Sequence, residues 1–282
     1  MPELPEVETE RGRLADAAAG KRIASARIDD ARLTRPDDPA LVAAMLSGDR
    51  IDAVDRRGKY IVVRLASGQA LLVHLRMTGG FRYSPATHER AVLKLDDGSR
   101  VAYRDTRRFG TWLLADADDA ERLLEIKNGP EPLGRGFTNA HLAGRLAGRK
   151  APLKAAILDQ RTVAGLGNIY ADEALWHARL NPLRPAGEVT ADEIARLREG
   201  VRKALRIGIR RQGADLGDGA YAGGRMQEEF RAYGRDGEPC SRCGTPIVKA
   251  RVGGRGTWYC PKDQAASSSA SRPSRSSRQS SV

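Results

Sequence analysis

The sequence predicts an α+β protein: an antiparallel β-sandwich or barrel reaching about residue 130, a helical part beyond it, and a small cysteine-bearing hairpin near the C-terminus. Three observations predict this order. Runs of alternating apolar and polar residues, separated by Ser67-Gly68 and Asp97-Gly98 turn signals, dominate the first part. After "NGPEPLGRGF" the apolar spacing becomes helical. Cys240, Cys243 and Cys260, the three cysteines of the chain, cluster near its end.

"EVETERGRLADAAA" reads as a helix from Glu6 to Ala19, led in by Pro5, with Val7, Leu14 and Ala18 on one side and Gly20 as its stop. "KRIASARID", "RIDAVDRRGKYIVVRL", "QALLVHLRMTG", "RAVLKLDDGSRVAYRD" and "RRFGTWLLAD" read as strands. Residues 131–138 form the expected hinge. Residues 139–235 carry the helical segments "TNAHLAGRLAGR", "PLKAAILDQ", "NIYADEALWHAR" and "TADEIARLREGVRKALRIGIRR". Thr190 and Glu193 have capping-box spacing and set the start of the last one. "GADLGDGAYAGGRM" reads as a mobile loop, 236–264 as the cysteine module, and 265–282 as a disordered Ser/Arg tail.

Lys and Arg number 48 against 36 Asp and Glu, for a net charge of +12 and a pI near 10.0. The tail holds only three of the arginines, so most of the excess lies elsewhere, and a polyanion is the expected partner, nucleic acid first. No long apolar run or signal-peptide pattern is present, so the expected setting is cytoplasmic and nucleoid-associated, without membrane binding.

Six stretches bear on chemistry. "MPELPEVE" places Pro2 behind the initiator methionine and Glu3 behind that. A small second residue favours methionine removal, which leaves a secondary amine; α-amines titrate at roughly 7.7–8.0, so part is a free nucleophile near neutrality. The competing reading is a plain helix lead-in. "CSRCGTPIVKARVGGRGTWYC" has zinc-ribbon spacing, a C-x-x-C pair and a third cysteine after sixteen intervening residues, but Asp263 stands where a fourth cysteine is expected. Carboxylate oxygen can ligate zinc; the alternative is a finger held by packing alone. "GLGNIY" puts Gly165 and Gly167 before a helix, with Asn168 as its candidate cap; the reading is either a phosphate site or a tight turn. Met77 in "HLRMTGG" and Phe109 in "RRFG" are core residues by default, or wedges that enter a base stack. Lys59 in "RRGKY" reads first as a solvated surface lysine.

Together, "MPELPEVE", "GKY", "HLRMTGG", "RRFG", "GPEPL", "LDQRTVAGLGNIYADEALW", "GEPCSRCGTPI" and "TWYCPK" resemble, in order, the formamidopyrimidine-DNA glycosylases, from Met1 to about Gln264. The resemblance implies an N-terminal β-sandwich, a helix–two-turns–helix domain with a zinc finger, and damaged double-stranded DNA as the partner of a monomer that needs no nucleotide cofactor. It implies Pro2 as nucleophile at C1′, Glu3 as general acid/base, and Lys59 beside the lesion phosphate. His74, Asn168 and Arg255 match phosphate-contacting residues, Arg255 being counted with Pro2, Glu3 and Lys59 in the catalytic set, and Lys154 falls on the DNA side. Met77, Arg107 and Phe109 match the residues that fill the gap left by a flipped nucleotide, which favours oxidised purines opposite cytosine. Cys240, Cys243 and Cys260 match zinc ligands, and Asp263 stands at the place of the fourth. Arg225-Met226 replaces a common aromatic pair in a shortened capping loop. Preference for oxidised pyrimidines, an idle damage-binding protein and a zinc-ribbon RNA-binding protein are the alternatives.

Overall fold

A computed structural model describes residues 1–215, 221 and 223–265. The tail and the centre of the glycine-rich loop lie outside the described residues. Helix α1 (Leu4–Ala18) begins two residues earlier than expected, because the Glu3 N–H is taken by the Glu6 carboxylate at 2.8 Å. Strands β1 (Ile23–Ile28), β2 (Ile51–Arg57), β3 (Tyr60–Leu65), β4 (Gln69–His74), β5 (Gly79–Arg82), β6 (Glu89–Leu95), β7 (Arg100–Asp105) and β8 (Thr111–Asp116) follow. They form two antiparallel four-stranded sheets, β1-β6-β7-β5 and β2-β3-β4-β8, so of sandwich and barrel the structure has the sandwich.

The two-residue period sorts the side chains. Ile61, Val63, Leu71 and Val73 enter the core between the sheets with Ile23, Phe81, Leu93, Tyr103 and Trp112. Val62, Ala70 and Leu72 point to the opposite face. That face is covered by α3 (Ala117–Lys127) through Ala120 and Leu124, a helix absent from the strand reading. Helix α2 (Pro39–Leu46) is also additional; the Asp38 carboxylate caps its Ala40 and Leu41 N–H groups at 2.7 and 3.2 Å.

The helical half holds α4 (Asn139–Leu146), α5 (Leu153–Leu158), α6 (Asn168–Ala178) and α7 (Ala191–Arg210), the last with the Thr190/Glu193 capping box formed. Strands β9 (Val248–Val252) and β10 (Arg255–Tyr259) make the C-terminal hairpin. Helix α1 is shared between the two large cores: Leu4 packs with α4–α7, whereas Val7, Leu14 and Ala18 pack in the sandwich. The stretch expected as a hinge is tied down at its start. Glu131 accepts from the Gly58 N–H at 2.5 Å and from Arg56 at 2.9 Å, which fixes the β2–β3 turn carrying Lys59. No helix among the described residues is long and apolar enough to cross a membrane.

Candidate active site

The N-terminus is held by the start of α6. The Glu3 carboxylate accepts the N–H groups of Ile169 at 2.9 Å and Tyr170 at 3.3 Å, and the Leu4 N–H donates to the Gly165 carbonyl at 3.0 Å. The expectation for "GLGNIY" is corrected here. Gly167, not Asn168, is the cap residue, and Glu3 takes the free N–H groups that suit a phosphate. The glycines permit close approach, but what approaches is the chain's own first turn. A Cβ on Gly167 would lie 2.3 Å from the Glu3 carboxyl carbon; one on Gly165, at φ +77°, would lie 2.7 Å from Leu4 Cβ.

Behind Glu3 lies Glu6, which accepts from the Tyr170 hydroxyl and the Ala214 N–H, both at 2.7 Å. Burial, then the nearby Glu3 charge, pushes the Glu6 carboxyl up to about 7. Sequence reading misses its role, although the Glu3–Glu6 spacing of a capping box is its visible signal.

A cavity of about 580 Å³ opens between the sandwich and the helical half. It brings together Glu3, Lys59, His74, Met77, Asn168 and Arg255. Pro2 is buried between Met1 and Glu3, which both line the cavity. Lys59 is 6% exposed, contrary to the solvated-lysine reading. Burial lowers its pKa while the Glu3 charge opposes the shift; burial raises that of Glu3 while Lys59 opposes it. Burial, then the charges of Arg76 and Lys59, pushes His74 down to about 3. It is therefore neutral near pH 7. Its Nδ1 accepts the Arg76 N–H at 3.0 Å, which leaves the proton on Nε2 as a donor.

Two loops of the sandwich carry the candidate wedge residues. Phe109 is 51% exposed, with the Arg107 guanidinium 4.8 Å from its ring centre, so the core reading fails for Phe109. Met77 is half-buried at the cavity wall. One carboxylate joins the loops: Asp105 accepts from the Thr78 hydroxyl at 2.5 Å and the Gly110 N–H at 2.7 Å, and Thr78 Oγ1 accepts the Arg107 N–H at 3.0 Å. Arg108, at φ +60°, pairs with Asp30 at 2.6 and 2.8 Å, and this bond holds the Asp30 carboxyl down at about 2. No sequence pattern singles out Asp105 or Asp30.

Lys154 requires a second correction. Instead of facing a ligand it is fully buried, 2.7 Å from Asp172, and donates to the Gly256 carbonyl at 2.8 Å and Thr257 Oγ1 at 3.0 Å. Asn168 Nδ2 donates to the same carbonyl at 3.2 Å. These bonds dock the hairpin on α6, which leaves the exposed Arg255 at the cavity. Met226 is also not a loop-tip residue: it is 1% exposed in the helical core, while Arg225 pairs with Glu228 at 2.7 Å.

The sulfur atoms of Cys240, Cys243 and Cys260 lie within 4.8 Å of one another. They fit three corners of a tetrahedral zinc site, where Zn–S is about 2.3 Å. Among the described residues this group does not extend to Asp263, whose carboxylate lies 2.6 Å from Arg242.

Comparison with known proteins agrees with this arrangement. Family models for the formamidopyrimidine-DNA glycosylase N-terminal domain, its H2TH domain, and a zinc finger found in FPG and IleRS match residues 1–112, 128–218 and 237–266. The formamidopyrimidine-DNA glycosylase of Roseiflexus sp. (strain RS-1) is 44% identical, over 94% of this chain and all of that protein. The crystal structure of MutM (Fpg) protein from Thermus thermophilus is 42% identical, with a TM-score of 0.84 over 93% of this chain and 98% of that one. Lactococcus lactis Fpg in complex with abasic-site DNA is 34% identical, with a TM-score of 0.87 over 94% and 100%. A chain matched by these models from its first residue to its cysteine hairpin, and this similar to proteins of that name along nearly its whole length, belongs to the formamidopyrimidine-DNA glycosylases, a family of enzymes.

Proposed function

We propose that this chain is a bifunctional DNA glycosylase and lyase of base excision repair, acting as a monomer on oxidised purines opposite cytosine. The observation that carries the reading is Glu3. A buried carboxylate, fixed on α6 beside Pro2, faces a cavity that also holds Lys59 and Arg255.

The Pro2 amine, once Met1 is removed, attacks C1′ of the damaged nucleoside, and the glycosidic bond breaks with departure of the base. Because the amine is secondary, opening of the sugar gives an iminium ion, which acidifies the adjacent C2′ proton. Successive β- and δ-elimination then cut the strand. Burial raises the Glu3 pKa, which suits a group that must give a proton to the sugar ring and take one back. Lys59 and Arg255 bind phosphate beside the lesion; neutral His74 donates from Nε2, and Asn168 adds an amide. Met77, Arg107 and Phe109 enter the duplex where the nucleotide leaves it, Arg107 against the widowed cytosine, since C1′ is inaccessible in a stacked helix. Zinc on Cys240, Cys243 and Cys260 would supply stability to the hairpin carrying Arg255, without entering the reaction.

Borohydride trapping tests the reading. With a duplex carrying one 8-oxoguanine opposite cytosine, the chain beginning at Pro2 should give a covalent protein–DNA band, and Pro2→Gly should lose most of it. An equal band from Pro2→Gly would remove Pro2 as the nucleophile. Binding without any band would favour an idle damage-binding protein. A parallel duplex with an oxidised pyrimidine ranks the lesions, since a Lactococcus lactis Fpg structure also contains oxidised-pyrimidine DNA. Affinity should also fall with salt. Each neutralised phosphate contributes about −0.9 to the slope of log K against log salt, so Lys59 and Arg255 alone set about −2. A flat response in anisotropy titrations would exclude this cavity as the DNA site.

A further inference from the structure

We propose that the metal site of the C-terminal hairpin is built from three thiolates alone, with Asp263 diverted into an ion pair with Arg242 and the fourth position left to solvent. Arg242 is itself held in place. Its guanidinium stacks 3.6 Å from the centre of the Trp176 ring and donates to the Trp176 carbonyl. Trp176 belongs to α6 and packs in one cluster with Cys240, Ile247 and Cys260. Arg242 therefore stands on a rigid support beside the sulfur atoms.

Asp263 meets this support on one side and a second cation on the other. Its Oδ2 is 2.6 Å from Arg242 and its Oδ1 is 3.7 Å from Arg179 Nε, with the carboxylate side chain only 9% exposed. Arg179 reaches it from the C-terminal cap of α6, where its backbone takes φ +56°, with a side chain that is 58% exposed. To reach a metal, the carboxylate would have to leave two arginines and strand Arg242, whose side chain is 20% exposed, without its anion. Oxygen is also the weaker donor for zinc in a thiolate set.

The knuckle does not need a fourth metal bond to keep its shape. The Asp263 N–H donates to Cys260 Sγ at 3.3 Å, and Gln264 accepts the Cys260 N–H at 2.9 Å while donating to the Leu180 carbonyl at 2.9 Å. The backbone contacts that orient Cys260 thus remain, and the side chain that follows serves the α6 interface.

Cobalt substitution of the full chain tests this. The metal-loaded protein is titrated with 2-mercaptoethanol while its visible and thiolate-to-cobalt absorption bands are recorded, for the natural chain, Asp263→Asn, Arg242→Gln and Asp263→Cys. The natural chain and Asp263→Asn should start from the same spectrum, and both should gain one thiolate with midpoints within about twofold of each other. Asp263→Cys should start with the stronger four-thiolate band and not respond. Arg242→Gln, which frees the carboxylate, should respond less than the natural chain. A natural chain that is silent while Asp263→Asn responds would make Asp263 a ligand and overturn the proposal. So would a natural chain that binds no cobalt while Asp263→Cys does.

Discussion

Glu3→Gln should bind a lesion-containing duplex within about twofold of the natural chain and turn it over roughly 10²- to 10⁴-fold more slowly, the usual contribution of a positioned acid or base. The carboxamide oxygen can still accept the closer Ile169 N–H, and the Leu4 N–H keeps the Gly165 carbonyl, so the first turn of α1 stays on α6 although the longer bond from Tyr170 is lost. What is lost is the group that exchanges a proton with the sugar. Single-turnover cleavage and anisotropy, measured on the same duplex, separate the two effects. Unaltered turnover would take Glu3 out of the chemistry. A parallel loss of binding would instead show that the substitution undid the docking of the N-terminus.

The largest structural effect is expected from Asp172→Ala. Lys154 and Asp172 are 2.7 Å apart and both are completely buried. Removing one member leaves an uncompensated charge in the interior, which costs about 3–5 kcal/mol. The loss does not stay on α6. Asp172 also accepts the Trp258 N–H at 3.1 Å, and Lys154 holds the carbonyl of Gly256, the neighbour of Arg255. Denaturant unfolding should show the lower stability, and the salt slope of DNA binding should shrink as Arg255 loses its place. The paired change Lys154→Met with Asp172→Leu should recover only part of the stability: it removes the stranded charge but leaves the Trp258 N–H without its acceptor. A loss below about 1 kcal/mol in Asp172→Ala would place it in the range of an exposed pair and contradict the burial.

Local periodicity carries the fold well. The alternation in "YIVVRL" and "QALLVH" marks β3 and β4, and the Thr190/Glu193 box marks the start of α7. Helix α2 escapes the pattern because only Val42 and Leu46 of it are buried, although Asp38-Pro39 is a recognisable start. Site geometry is legible only in part. Gly165 and Gly167 signal that something comes close, but Glu3 is 166 residues from Ile169, beyond any window of pattern. Lys154 looks like any lysine in the first turn of a helix until the fold sets Asp172 against it. The identity of Asp263 is plain in the sequence; its turn toward Arg242 depends on where α6 places Trp176.

The shared position of α1 has a consequence for the order of events during synthesis. Pro2 and Glu3 leave the ribosome first, yet the N–H groups that fix Glu3 and Glu6 belong to Ile169, Tyr170 and Ala214. Until those are made, the terminus has nothing to dock on and remains open to processing. Once α6 is in place Pro2 is buried. Before the helical half closes the terminus is unhindered, whereas in the folded chain the amine proposed as nucleophile is released only by cutting between a Met1 that is 45% exposed and a Pro2 that is buried.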